Sequence, residues 1–392
     1  MNPIPLSRPA IAILLLLLAY PQLSQTMYAP VLPDIAAAYG ISAGQAQWTM
    51  SLYFAAFALG VLFWGRISDL KGRRPALFGG LCCYVAAAAL ALVARSFTVL
   101  LLARAWLAFG ISVGAVVMQT MVRDSYQGPQ LTKMFSAVVT VLAFSPAIGP
   151  ALGMLVASHY GYHGVFACLG LLAALALLCA AFMPETRPRH QPAPVPMLRV
   201  ARHMLTDRHI WISAALVAGF NLILFGYYVL APHTFDELGM PHWLSGASGL
   251  LLGLAAVGGA RLNKLALRHY RPRQLIRRAC HAGLAAALLQ LLALAAGARA
   301  PLPAACAVLA TQVVLMLCFA CAIPSIFAAS LQHYRAVQGS ASAMYGLTYY
   351  LLIAAGLAAL GALYHAQTLA QPVFMLVVSA VLMPVAHCWA QD

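Results

Sequence analysis

Charge is what this chain has least of. Across 392 residues it carries 23 Lys plus Arg and only 8 Asp plus Glu, 8% in all, where a soluble domain spends roughly a quarter. Hydrophobic residues make up 63% and the mean hydropathy is +0.86. No polar stretch is long enough for an aqueous domain, so the net charge of +15 has no solvated basic face on which to meet nucleic acid. The 9 cysteines form no disulfide or zinc framework. Cys318 and Cys321 sit inside an apolar run, where thiols behave as small hydrophobes. There is no ATP motif and no nucleophile–base pair. His159, His163, His233, His242 and His365 scatter near outer helix ends without ligand spacing. An enzyme, a cofactor and a metal site are therefore not expected. One more absence matters: no Asp or Glu falls in the middle of an apolar run.

What is present is a succession of such runs, each near the roughly 20 residues that cross a bilayer as helix. They read as 10–32, 46–65, 76–95, 97–120, 132–157 and 163–183, then 209–235, 242–262, 274–297, 301–329, 339–364 and 369–389. A secretory leader would be one run followed by a polar chain. The expected fold is an all-α polytopic membrane protein of 12 transmembrane helices in two six-helix bundles related by pseudo-twofold symmetry. The halves would be 1–183 and 209–392. Residues 184–208, rich in Pro, Arg and His, read as a solvated cytoplasmic linker. Lys and Arg gather in alternate loops, at Arg66 to Arg74, Arg123 to Lys133, the linker and Arg261 to Arg278, while the opposite loops hold Arg95 and Arg299. The positive-inside rule then puts both termini in the cytoplasm. The halves also echo each other, in Gly65-x-x-x-Asp69 with Arg73 and Arg74, and Gly259-x-x-x-Asn263 with Arg268, Arg271 and Arg273. Such parallel repeats characterise transporters that hold substrate between halves near the midplane.

Five of the scarce charges lie in one loop, Gly65-Arg66-Ile67-Ser68-Asp69-Leu70-Lys71-Gly72-Arg73-Arg74. Gly65 and Gly72 permit close approach and turn geometry; Asp69 suits the positive end of a helix dipole; Arg73, four residues on, is placed to pair with a carboxylate. The loop resembles the G-x-x-x-D-x-x-G-R-R/K signature of the major facilitator superfamily. Ser145 to Gly153 resembles that superfamily's antiporter motif. Met27-Tyr28-Ala29-Pro30-Val31-Leu32-Pro33, Arg123-Asp124-x-Tyr126 and Gly339-Ser340-Ala341-Ser342-Ala343 resemble bicyclomycin-resistance-type drug:H+ antiporters with 12 helices. The resemblance implies a conformational gate of Gly65, Asp69, Gly72, Arg73, Arg74 and Asp124, latching the cytoplasmic side closed, with Gly339-Ser340 beside it. It also implies a functional hinge at Pro146, Gly149, Pro150 and Gly153. The chain departs from the pattern at Thr26, where an aspartate is usual, at Leu107-Ala108 and at Met154. Those departures bear on proton coupling.

Arg104 is the basic residue placed well inside a run, where a lone charge costs several kcal/mol and faces a cavity or a partner. It is read as a substrate contact or a coupling element, against snorkelling near the outer leaflet. Asp34, ending the first run, is the nearest acidic coupling candidate, against a solvated position at the outer mouth. The substrate cavity is expected to draw on Gln22, Gln25, Thr26, Tyr28, Arg104, Gln119, Asn221, Tyr227, Gln312 and Tyr345, polar groups that need partners or water in a bilayer. The function expected is export of a small drug-like organic molecule by ion-driven alternating access, by a monomer in the bacterial inner membrane, with protons as possible co-partners and no nucleic acid. An anionic or zwitterionic endogenous cargo such as a siderophore or metallophore is the alternative. A non-transporting receptor on the same fold is the third.

Overall fold

Backbone amides in hydrocarbon must be satisfied within their own segment, so apolar runs of this length become helices. The computed structural model describes residues 8–126, 128–187, 197–241, 243–296, 301–331, 334, 338–363 and 369–391. These form α1 (Arg8–Thr26), a 3-10 turn (Ala29–Val31), α2 (Leu32–Tyr39), α3 (Ala43–Lys71), α4 (Arg73–Leu92), α5 (Phe97–Ser125), α6 (Gly128–Ala180), α7 (Met197–Thr206), α8 (Arg208–Glu237), α9 (Trp243–Ala266), α10 (Pro272–Ala296), α11 (Pro301–Ser330), α12 (Gln338–Leu363) and α13 (Ala370–Gln391). No strand occurs among the described residues. Local chemistry sets several boundaries. Ser42 and Gln45 form a reciprocal capping box at the start of α3, and the Asp207 carboxylate accepts the His209 amide at the start of α8.

Eleven helical stretches among the described residues are long and apolar enough to cross a membrane. One of them, Ile148–Ala180, belongs to α6, whose 53 residues are long enough for two crossings. The helix begins three residues after α5 ends, and Glu185, five residues past its end, accepts the Arg73 amide at the same face. Its turning point is Gly161, at φ +62° and ψ −168°, a backbone conformation open to glycine. The first span also departs from expectation. It is discontinuous: α1 stops at Thr26, Met27 and Tyr28 form a bend, and α2 resumes after the 3-10 turn. Pro30 and Pro33 cannot donate to a preceding turn, which is why one helix does not run through.

The helices of each half pack in matching pairs. In the first, α3 and α4 both lie on α5, and α4 meets α6; in the second, α9 and α10 lie on α11, and α10 meets α13. Across the halves α3 packs on α12 and α6 on α9. Between the halves α7 is a helix that composition did not announce. Val200 and Met204 turn to the protein while Arg202, His203, Leu205 and Thr206 stay exposed, and the helix rests on α12 and α8.

Candidate functional site

The face where α3 ends and α4 begins is built around Arg73, only 1% exposed. Its Nε donates to Asp124 at 2.9 Å, and its Nη1 donates to Asp69 at 2.7 Å and to Ser68 Oγ at 3.2 Å. Glu185 closes the node from the backbone side, accepting the Arg73 and Arg74 amides at 2.9 and 3.1 Å. Arg74 donates to the Ala181 carbonyl and Arg187 to that of Leu70. The Arg73 guanidinium thus joins α3, α4 and α5, and its backbone amide brings in the segment after α6. Gly72 is indispensable here: its φ is +110°, and a Cβ would stand 2.5 Å from the Glu185 carboxylate. Gly65 is not held so tightly, since a Cβ there would make an ordinary 3.5 Å contact with Val116. The close approach expected of both glycines belongs to Gly72 alone. The Asp69 side chain is 47% exposed and that of Asp124 11%. A half-exposed pair is screened and contributes about 0–1 kcal/mol, so Asp69→Asn is expected to lower transport with little change in thermal stability. Proteoliposome flux beside a melting curve checks this; full flux in the variant would remove Asp69 from the latch.

Arg104 occupies a different setting. It is fully buried, with Cζ 3.8 Å from the centroid of the Tyr28 ring and 4.4 Å from that of Tyr53. The bend after α1 supplies Tyr28 and α3 supplies Tyr53, so the guanidinium is held between two phenol faces. Tyr84 on α4 stands behind, bonded to Ser24 at 2.6 Å and edge-on to Tyr20. Nε, Nη1 and Nη2 of Arg104 have no hydrogen-bond partner among the described residues. The snorkelling alternative is excluded by this burial. Thr26, however, is not turned to the guanidinium. Its hydroxyl donates to the Gln22 carbonyl at 2.8 Å and lies against Gly149, where a Cβ would overlap it.

The region resembling the antiporter motif forms a seam. A Cβ on Gly153 would overlap the Met27 carbonyl, so α6 meets the bend backbone to backbone. Met154, where the pattern has glycine, packs instead against Gly246 of α9, whose added Cβ would stand 2.9 Å from the Met154 Cβ and 3.3 Å from the Pro150 carbonyl. The missing glycine is supplied from across the halves. Helical dihedrals persist through Pro150, and the break lies eleven residues on, at Gly161. The side chain of Pro146 lies outside the described residues, as do those of Gly339 and Ser340, and His242 and His365.

The family model described as Major Facilitator Superfamily matches residues 14–357. The chain belongs to the major facilitator superfamily. An uncharacterized transporter of Rickettsia bellii (strain RML369-C) is 31% identical over 350 residues, 87% of each chain. Multidrug resistance protein D of Escherichia coli (strain K12) is 34% identical over 180 residues, 46% of each. The fold matches a crystal structure of a POT family transporter in complex with 5-aminolevulinic acid, with TM-score 0.75 and 14% identity, covering 96% of this chain and 94% of that one.

In this facilitator-superfamily transporter the remaining cavity candidates do not converge on one point. Gln25 is buried beside the bend, and Gln22 is half-buried with its Oε1 unsatisfied. Gln119 lies about 22 Å farther along α5 than Arg104 at 1.5 Å per residue, near Asp124 rather than the tyrosines. Asn221 spends its amide on the Val217 carbonyl of its own helix. Tyr227, Gln312 and Tyr345 are buried in the second half with Tyr227 OH, Gln312 Oε1 and Tyr345 OH unsatisfied among the described residues. Asp34 is exposed in the first turn of α2, so it does not present a buried carboxylate. Glu185, Tyr53 and Tyr84 were not foreseen. The signal for Glu185 was its rarity as one of 8 acids; for the tyrosines it was phenols in mid-helix, like Tyr20.

Proposed function

We propose that this transporter exports a small organic molecule by alternating access, its two halves rocking about a central path under an electrochemical gradient. The observation that carries this is where the polar and the apolar contacts lie. The Arg73 node ties the first half to the start of the linker; the Asn263 amide, which donates to Ser325 Oγ at 2.9 Å and to the Cys321 carbonyl, sits within the second half, and the Tyr334–Asp207 bond at 2.7 Å ties that half to the end of the linker. Between halves the named contacts are aromatic or glycine: Phe54 on Phe225 at 4.8 Å, Phe57 on Tyr350 at 4.9 Å, and Gly361 against Gly44. Each half carries polar locks of its own, and these seams between the halves can slide or part without breaking them. The basic face is assigned to the cytoplasm by its arginines. Export, rather than uptake, is supported by the resistance function named for the Escherichia coli relative.

At the face opposite Arg73, a Cβ on Gly361 would stand 3.0 Å from the Gly44 carbonyl. In a background with the native cysteines replaced by serine, Gly44→Cys paired with Gly361→Cys is expected to cross-link and stop ethidium efflux from proteoliposomes. Reductant should restore it. Efflux that continues with the cross-link formed would contradict rocking at this seam. An endogenous anionic cargo is the second reading, favoured by the uncompensated Arg104.

A further inference from the structure

Two guanidiniums are fully buried among the described residues, and they are treated differently. Arg73 has two ion pairs, whereas Arg104 has the faces of two phenols and no acceptor among the described residues. A buried, fork-shaped donor set without acceptors is destabilising unless an anion joins it. Cation–π contact with Tyr28 and Tyr53 supports the charge but satisfies no N–H. Phenols from three neighbouring elements face Arg104: Tyr28 in the bend, Tyr53 on α3 and Tyr84 on α4, with Cys168 of α6 behind Tyr84. None is a carboxylate or an imidazole. The seven acids among the described residues lie at helix ends or in loops, so none of these carboxylates stands in mid-helix to carry a proton past Arg104.

We infer that the cargo itself supplies the missing negative charge: the transporter exports aromatic or small organic anions, a carboxylate docking on Arg104 between Tyr28 and Tyr53, and the membrane potential rather than a proton drives them out. The inference rests on the exporter reading. Its charge accounting is simple. The loaded site is neutral and the unloaded site keeps one positive charge, so each monoanion exported carries one negative charge out. A potential that is negative inside favours that step by roughly fifty-fold per 100 mV, which is 2.3 kcal/mol per elementary charge expressed as a ratio. A protonatable partner for Arg104 is then unnecessary, which agrees with a threonine at position 26 whose hydroxyl is bonded to its own helix.

The test uses p-aminohippurate, an aromatic monocarboxylate, with ethidium as the cationic control, in proteoliposomes whose potential is set by potassium and valinomycin. With equal pH on both sides, an interior-negative potential is expected to speed p-aminohippurate efflux several-fold. A pH gradient at zero potential should leave it unchanged. Arg104→Gln should lower the efflux roughly ten-fold or more, as loss of a charged hydrogen bond implies; Arg104→Lys, which keeps the charge but not the fork, should lower it less. In detergent, p-aminohippurate should raise the melting temperature of the wild type and of Arg104→Lys, but not of Arg104→Gln. This second readout keeps the test decisive if Arg104→Gln inserts poorly. Efflux that follows the pH gradient and ignores the potential overturns the driving force. Ethidium efflux without p-aminohippurate efflux or stabilisation overturns the anionic cargo and leaves the exporter reading standing. If neither probe moves, both fall.

Discussion

Asp124→Asn is expected to abolish transport and to lower stability by about 3–5 kcal/mol, the effect of removing one partner from a buried ion pair. The size follows from where the charges sit. Arg73 has 2% of its side chain exposed and Asp124 11%, so neither water nor salt screens the 2.9 Å contact. Asparagine keeps an acceptor for Nε but not the charge, and Asp69, 47% exposed on the other side, is too well solvated to compensate. Glu185 cannot take over, because its oxygens are held by the backbone amides of Arg73 and Arg74. Differential scanning fluorimetry in detergent measures the stability, and proteoliposome flux the transport. The contrast with Asp69→Asn is the discriminating result. If both variants melt alike, solvation does not rank the two carboxylates and the Arg73 node is a surface network.

The same node shows how far the sequence could be read. Scarcity of charge singled out the loop with Asp69 and Arg73, because in a membrane each charge needs a reason, and the superfamily resemblance pointed to Asp124 as the partner. Periodicity and run length located the helices for the same reason. Glu185 escaped because it lies more than a hundred residues from Arg73 and meets a backbone amide, which carries no sequence signal. The break after Thr26 was written in Pro30 and Pro33, yet hydropathy averages across such a bend and reports one span. Thr26 illustrates the opposite failure: its polarity suggested a cavity, whereas its hydroxyl is spent on Gln22 and its position is set by Gly149. A helical face can be inferred from spacing, but what stands opposite it cannot. Arg104 lay between these cases. Its depth was legible; the two phenols that hold it come from elements about 25 residues apart in sequence and are brought together only by α1, α3 and α5 packing.

A graded series at Gly153 should show the largest effect away from any charge. Its added Cβ would overlap the carbonyl of Met27 and lie 3.0 Å from the Met27 Cα. Those are backbone atoms, so no rotamer change relieves the overlap and the helices must separate. Met27 is the residue before Tyr28, so pushing it away shifts the ring that covers Arg104. Gly153→Ala is expected to cut flux several-fold, and Gly153→Val by roughly a hundred-fold, because 1–3 kcal/mol of overpacking strain falls on the bend itself. Gly283→Ala in α10 is the control. A Cβ there would make an ordinary 3.7 Å contact with Leu315, and alanine favours a helix over glycine by about 1 kcal/mol. Flux, melting temperature and Tyr28 accessibility, measured on the same preparations, separate the outcomes. A Gly153 series that loses stability and flux in proportion makes the seam a packing feature. Flux that falls well ahead of stability ties the seam to Arg104, and a Gly153→Val protein with normal flux would disconnect the α6 contact from transport altogether.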